Sequence, residues 1–208
     1  MIPFFPKRIF RCVLFILATA LPMSALAART ILIFGDSLSA GYGIRQEAAW
    51  PVLLEKRLQE RRLDYSVVNA SISGETSSGG LSRLPAAITR HSPRIVVIAL
   101  GSNDGLRGLP IATLNNNLGA MVDMALKANA RVLLVGQRLP PNYGAYAAEF
   151  ERTFAEIAKS RRIARVNFLL EGIAARRELF QADNLHPTAE AQPILMETVW
   201  KALEPLLK

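Results

Sequence analysis

The chain has one cysteine, two histidines and no apolar stretch of bilayer length in 208 residues. Its early apolar run, CVLFILATALPM (12–23), is 12 residues long, against the ~20 needed to span a membrane. Lys7, Arg8 and Arg11 precede it and SALAA (24–28) follows. A basic start, a short apolar core and an A-x-A site predict a secretory signal peptide over 1–27, cleaved after Ala27. Cys12 opens the apolar core instead of closing it, which argues against a lipoprotein, and it leaves with the leader. The working chain, 28–208, then has no thiol, no disulfide and no cysteine metal site. It is expected in the periplasm or secreted.

Nucleotide motifs are also missing. FGDSLSAGYG (34–43) follows the apolar run TILI (30–33), and a Gly/Ser loop after a strand can cradle a phosphate or present a nucleophile. The spacing Gly35 to Gly41 does not fit a Walker loop, and no Lys follows. Gly41-Tyr42-Gly43 lacks the third glycine of a dinucleotide fingerprint. Of the formal charge of +8, three come from the leader, leaving +5. The basic clusters RRL (61–63) and SRRIAR (160–165) are short and separate. No nucleic-acid motif or aromatic-interleaved basic patch is present.

What is present is alternation. Strands are predicted at 30–34, 65–70, 94–100, 131–137 and 162–169. Helices are predicted at 50–62, 78–91, 110–129, 145–160 and 187–207, the last with Pro187 in its first turn. The run RIVVIAL (94–100) is apolar throughout, as a strand covered on both faces is. The βαβα order predicts an α/β fold: a single domain, 28–208, with a five-stranded parallel sheet in a three-layer α/β/α sandwich. The expected strand order is 2-1-3-4-5, flavodoxin-like. Ligands in such sheets bind beyond the carboxyl ends of the strands.

The residues at those ends suit acyl transfer. Ser37 is the candidate nucleophile. Of the histidines, His91 precedes the third strand, at the wrong edge. His186 lies in QADNLHPT (181–188), three residues after Asp183. On a tight turn that spacing can bring a carboxylate to Nδ1 and leave Nε2 for Ser37, although taken alone the pair reads better as a turn that caps the helix. The backbone N–H groups of Ser37 and Gly74 and the side-chain amide of Asn103 can converge as oxyanion donors. The hydrolase elbow G-x-S-x-G is absent, because Gly35-Asp36-Ser37-Leu38-Ser39 ends in serine.

GDSLS (35–39), Gly74, GSND (101–104) and DNLHP (183–187) together resemble the SGNH, or GDSL, hydrolases. NASISGETSSGGLSRLP (69–85), GSNDGLRG (101–108) and RLPPNYG (138–144) resemble its thioesterase I / protease I / lysophospholipase L1 branch, the arylesterases. The resemblance implies a catalytic Ser37, Asp183 and His186, and an oxyanion hole of Ser37, Gly74 and Asn103. It implies no metal or cofactor. The implied substrates are small-molecule acyl esters and thioesters, among them aryl esters, lysophospholipids and acyl-CoA. Ser102 stands where the branch often has Gly, and Asn184-Leu185 where it has Gly-Ile; neither is expected to touch a catalytic group. Leu139, Pro140, Pro141 and Tyr143 are candidates to line an acyl groove. A monomer with transient contact to membrane lipid is expected. A carbohydrate acetyl esterase of the same superfamily and a non-catalytic exported binding module are the alternatives.

Overall fold

The computed structural model describes Met1 and residues 28–208; the rest of the expected leader lies outside the described residues. Five parallel strands form one sheet in the order β2-β1-β3-β4-β5. They are β1 (Arg29–Gly35), β2 (Tyr65–Asn69), β3 (Ile95–Ala99), β4 (Arg131–Val135) and β5 (Ala164–Val166). Strand residues point alternately to the two faces. Ile31, Ile33, Ile95 and Val97 enter one core, with Trp50, Leu54, Leu195 and Trp200. Leu32, Phe34, Val96 and Ile98 enter the other, with Leu84, Leu118, Phe150 and Phe154. Both faces are covered, which is why the buried stretches Ile31–Phe34 and Ile95–Ala99 are apolar at every position. Ile33, Val97, Leu133 and Ala164 stand side by side across four strands and fix the register.

Helices α2 (Trp50–Glu60) and α7 (Gln192–Leu203) cover the first face. Helices α3 (Ser77–His91), α5 (Ile111–Lys127) and α6 (Ala145–Arg161) cover the second. Two short helices were not expected: α1 (Ser37–Ala40) and α4 (Ser102–Leu106). Each begins within three residues of a strand's end.

Two expected boundaries are corrected. The closing helix does not run from 187 to 207. Pro187 pairs with Phe180 in an isolated antiparallel bridge, and Pro193 is the proline in the first turn of α7. Pro205 stands in a 3-10 turn, Glu204–Leu207, because it has no N–H to continue the helical hydrogen bonding. The last strand is three residues, not eight. Arg162 takes a left-handed conformation, φ +53°, as it caps α6, so the strand begins only beyond it.

Candidate active site

Ser37 is placed by the way β1 ends. Gly35 passes so close to β3 that a Cβ there would stand 2.8 Å from Ser39 Oγ and 3.0 Å from the Ala99 carbonyl. The chain then turns into α1, and Asp36 caps it by accepting the Leu38 N–H at 3.0 Å. Ser37 is the first residue of that helix, so no carbonyl within the helix reaches its N–H. Gly41, φ +72°, stops α1 after four residues.

The opposing groups arrive on a loop between residues 180 and 187. The Phe180–Pro187 bridge closes the loop, with the Gln181 N–H on the His186 carbonyl at 2.8 Å. Asn184 takes φ +59° at its tip, a conformation that Asn tolerates better than most non-glycine residues. Within this turn Asp183 Oδ1 accepts the N–H groups of Leu185 and His186 at 2.9 and 3.0 Å. Its Oδ2 lies 2.7 Å from His186 Nδ1. His186 Nε2 lies 2.9 Å from Ser37 Oγ. The His186 backbone N–H, its ring and the Leu185 N–H together hold the Asp183 carboxyl well below the usual carboxylate range. The Tyr42 ring packs on the imidazole, centroids 4.5 Å apart. Gln181 Nε2 ties the two loops by donating to the Tyr42 and Pro187 carbonyls at 2.8 and 3.1 Å.

Gly74 and Asn103 complete the pocket. Gly74 sits in a turn closed by the Glu75 N–H on the Ile72 carbonyl, with φ +80°. A Cβ there would meet only Arg107 Nη2, at 4.0 Å, so the turn geometry and not crowding requires glycine. Arg107 holds the Gly74 carbonyl at 3.1 Å. Asn103 Nδ2 donates one hydrogen to the Glu75 carbonyl at 3.0 Å, which leaves its second for a ligand. Ser37, Gly74, Asn103 and His186 line one cavity of about 150 Å³, with Asp183 behind the imidazole. All five expected site residues are thus brought together. His91 ends α3 ahead of β3, away from them.

Two expectations are refined. Ser102 and Leu185 line the same cavity as Ser37, and the Leu185 N–H bonds Asp183, so Leu185 does touch a catalytic candidate, through its backbone. Leu139, Pro140 and Pro141 line an adjoining cavity of about 460 Å³, but Tyr143 bonds the Leu106 carbonyl at 3.3 Å instead.

Sequence reasoning missed two buried carboxylates. Asp36 is fully buried; burial pushes its carboxyl up to about 6, against the Leu38 N–H, the Ser102 hydroxyl and His186, which lower it. Asp104 takes the Ser77 N–H at 2.8 Å and the Ser77 hydroxyl at 2.5 Å, anchoring the start of α3 two residues from Glu75. Asp36 caps α1, a helix too short to show in the sequence pattern. The Asp104–Ser77 contact, between residues 27 apart, left no local signal.

Residues 33–193 match the model of the GDSL-like lipase/acylhydrolase family. The chain belongs to that family. It is 48% identical to the esterase TesA of Pseudomonas aeruginosa over 192 residues, 92% of this chain and 96% of that one. It is 42% identical to the thioesterase 1/protease 1/lysophospholipase L1 of Escherichia coli K12 over 194 residues, 93% and 92% of the two chains. The crystal structure of the psychrotrophic esterase EstA from Pseudoalteromonas sp., inhibited by monoethylphosphonate, superposes with a TM-score of 0.82 at 41% identity, covering 86% of this chain and 98% of that one. The GDSL acylhydrolase is an ester-bond hydrolase with the α/β/α fold of its relatives.

Proposed function

We propose that this acylhydrolase works as an exported serine esterase through Ser37, His186 and Asp183. The observation that carries the reading is the unbroken chain from Ser37 Oγ to His186 at 2.9 Å and on to Asp183 at 2.7 Å. His186 Nε2 takes the Ser37 hydroxyl proton as Oγ bonds the acyl carbon. The carbonyl oxygen becomes an oxyanion, held by the N–H groups of Ser37 and Gly74 and the free N–H of Asn103. Collapse breaks the bond to the leaving alcohol or thiol, which takes the proton from Nε2. Water then gives a proton to Nε2 as its oxygen bonds the acyl carbon, and collapse breaks the bond to Ser37 Oγ, which takes that proton back from Nε2 and frees the acid. Asp183 keeps the imidazole proton on Nδ1 and stabilises the imidazolium as it forms. These steps are complete without a metal or cofactor.

The adjoining cavity supports a fatty-acyl substrate. Leu38, Leu106 and Leu185 line both it and the pocket at Ser37. The leader expected at 1–27 places the working molecule, a single domain from Ala28, in the periplasm or outside the cell. Acyl-CoA is a cytosolic metabolite, so a lysophospholipid or similar ester at the membrane is the favoured task and thioester cleavage a capacity of the same site. A monomer suffices, because every group in the mechanism comes from one chain. The test is an organophosphonate with a p-nitrophenyl leaving group. It should add one phosphonyl mass to the peptide bearing Ser37, and Ser37→Ala should lose on the order of 10⁶-fold in kcat, as serine nucleophiles do. Retained activity in Ser37→Ala would overturn the assignment.

A further inference from the structure

The cavity beside the catalytic pocket is apolar along most of its wall, with Leu38, Leu106, Leu139, Phe168 and Leu170 among its lining residues. Gln137 also lines it. Gln137 is 3% exposed, and its Nε2 is buried with no hydrogen-bond partner. A buried amide left unpaired costs about 1–3 kcal/mol, so a side chain of this kind calls for an occupant that bonds it. The backbone that carries it is held in place. Gly136, just before it, donates to the Val166 carbonyl at 2.9 Å and accepts the Leu169 N–H at 3.1 Å. A Cβ at Gly136 would stand 2.3 Å from the Asn167 carbonyl. The backbone is clamped between β4 and the segment after β5 at the residue before Gln137, and the terminal amide torsion, which is broad for Gln, can turn either end of the amide to a ligand.

Leu38, Ser102, Leu106 and Leu185 border both this cavity and the pocket at Ser37. An acyl group whose carbonyl lies at Ser37 therefore runs past them toward Gln137. We propose that Gln137 is a specificity-determining residue that receives a hydroxyl on the acyl chain, so that hydroxyacyl esters are preferred over unsubstituted esters of equal length. A hydroxyl both donates and accepts, so it satisfies either end of the amide. A methylene at the same depth leaves Nε2 unpaired. Sites built to bond a substrate hydroxyl discriminate against the analogue lacking it, because the protein group is stranded. The proposal rests on the esterase reading, with the acyl group in this groove.

The experiment compares kcat/KM for p-nitrophenyl hydroxyalkanoates, with the hydroxyl moved along the chain, against the unsubstituted ester of the same length. Both wild type and Gln137→Met are assayed; methionine is unbranched and of similar size but cannot bond a hydroxyl well. Gln137→Leu serves as a second variant, and replacing an unpaired amide by an apolar group should leave the fold intact. Wild type should favour one hydroxyl position by about tenfold, and the ratio should fall to near one in both variants. A ratio the same in all three proteins, or a wild-type preference for unsubstituted chains, would overturn the proposal, the amide then being satisfied by water. Failure of wild type to turn over any of these esters, substituted or not, would instead overturn the esterase reading on which it rests.

Discussion

Asp36 and Asp183 flank the Ser37–His186 pair from opposite sides, and their surroundings push them apart. Asp183, with its side chain 42% exposed, receives two backbone N–H groups and the imidazole, and stays ionised. Asp36 is fully buried, and that burial outweighs the Leu38 N–H and the Ser102 hydroxyl, so its carboxyl rises from 3.8 to about 6. A raised carboxyl binds its proton more tightly in the folded state than in the unfolded one. Its stabilising contribution is therefore present below about pH 3.8 and is lost as pH rises through 6. The displacement is worth about 3 kcal/mol. Asp36→Asn keeps an oxygen for the Leu38 N–H and carries no charge. It should be more stable than wild type at pH 8, by up to that amount, and the gap should close toward pH 4.5. Urea midpoints of the two proteins across this range check it. A gap that does not change with pH would show that Asp36 ionisation is not the cause.

At the scale of elements, two glycines carry opposite expectations. A Cβ at Gly136 would meet the backbone of Asn167 and Val166 at 2.3 and 2.8 Å. That backbone follows a strand of only three residues, β5, and cannot yield without parting β4 from β5. Overpacking of this kind costs about 1–3 kcal/mol, and contact with backbone places Gly136→Ala at the upper end. Gly119 lies inside α5, where a Cβ would meet only the tip of Arg161, at 2.7 Å. There alanine adds about 1 kcal/mol of helix propensity and disturbs a surface pair, Arg161 with Asp123, worth about 0.2–1 kcal/mol. Gly119→Ala should leave Tm within about 3 °C of wild type, while Gly136→Ala lowers it by about 6 °C or more. Equal shifts in the two variants, measured by calorimetry, would refute the distinction.

For the molecule as a whole, what could be read in advance followed from how local each signal was. The strands β1, β3 and β4 show as continuous apolar runs because both faces are buried, and Ser37 and His186 sit in short motifs at their own turns. The single-turn helices α1 and α4 are too short to have a period. The closing helix was misplaced because Pro187 and Pro193 suit a first turn equally, and only the pairing of Pro187 with Phe180 across the loop tells them apart. Asp104 with Ser77 and Gln137 with its groove join residues from different elements, so no window of sequence contains them. The same reasoning bears on how the whole fold is stabilised. With residues 1–27 removed the chain has no cysteine, so its stability rests on the two cores either side of the sheet. With the proposed cleavage after Ala27, the mature protein should begin at Ala28 by intact mass, titrate no thiol after unfolding, and melt at the same temperature with or without reductant. A thiol recovered from the exported form would mean that Cys12 is retained and that the leader is an anchor and not a cleaved signal.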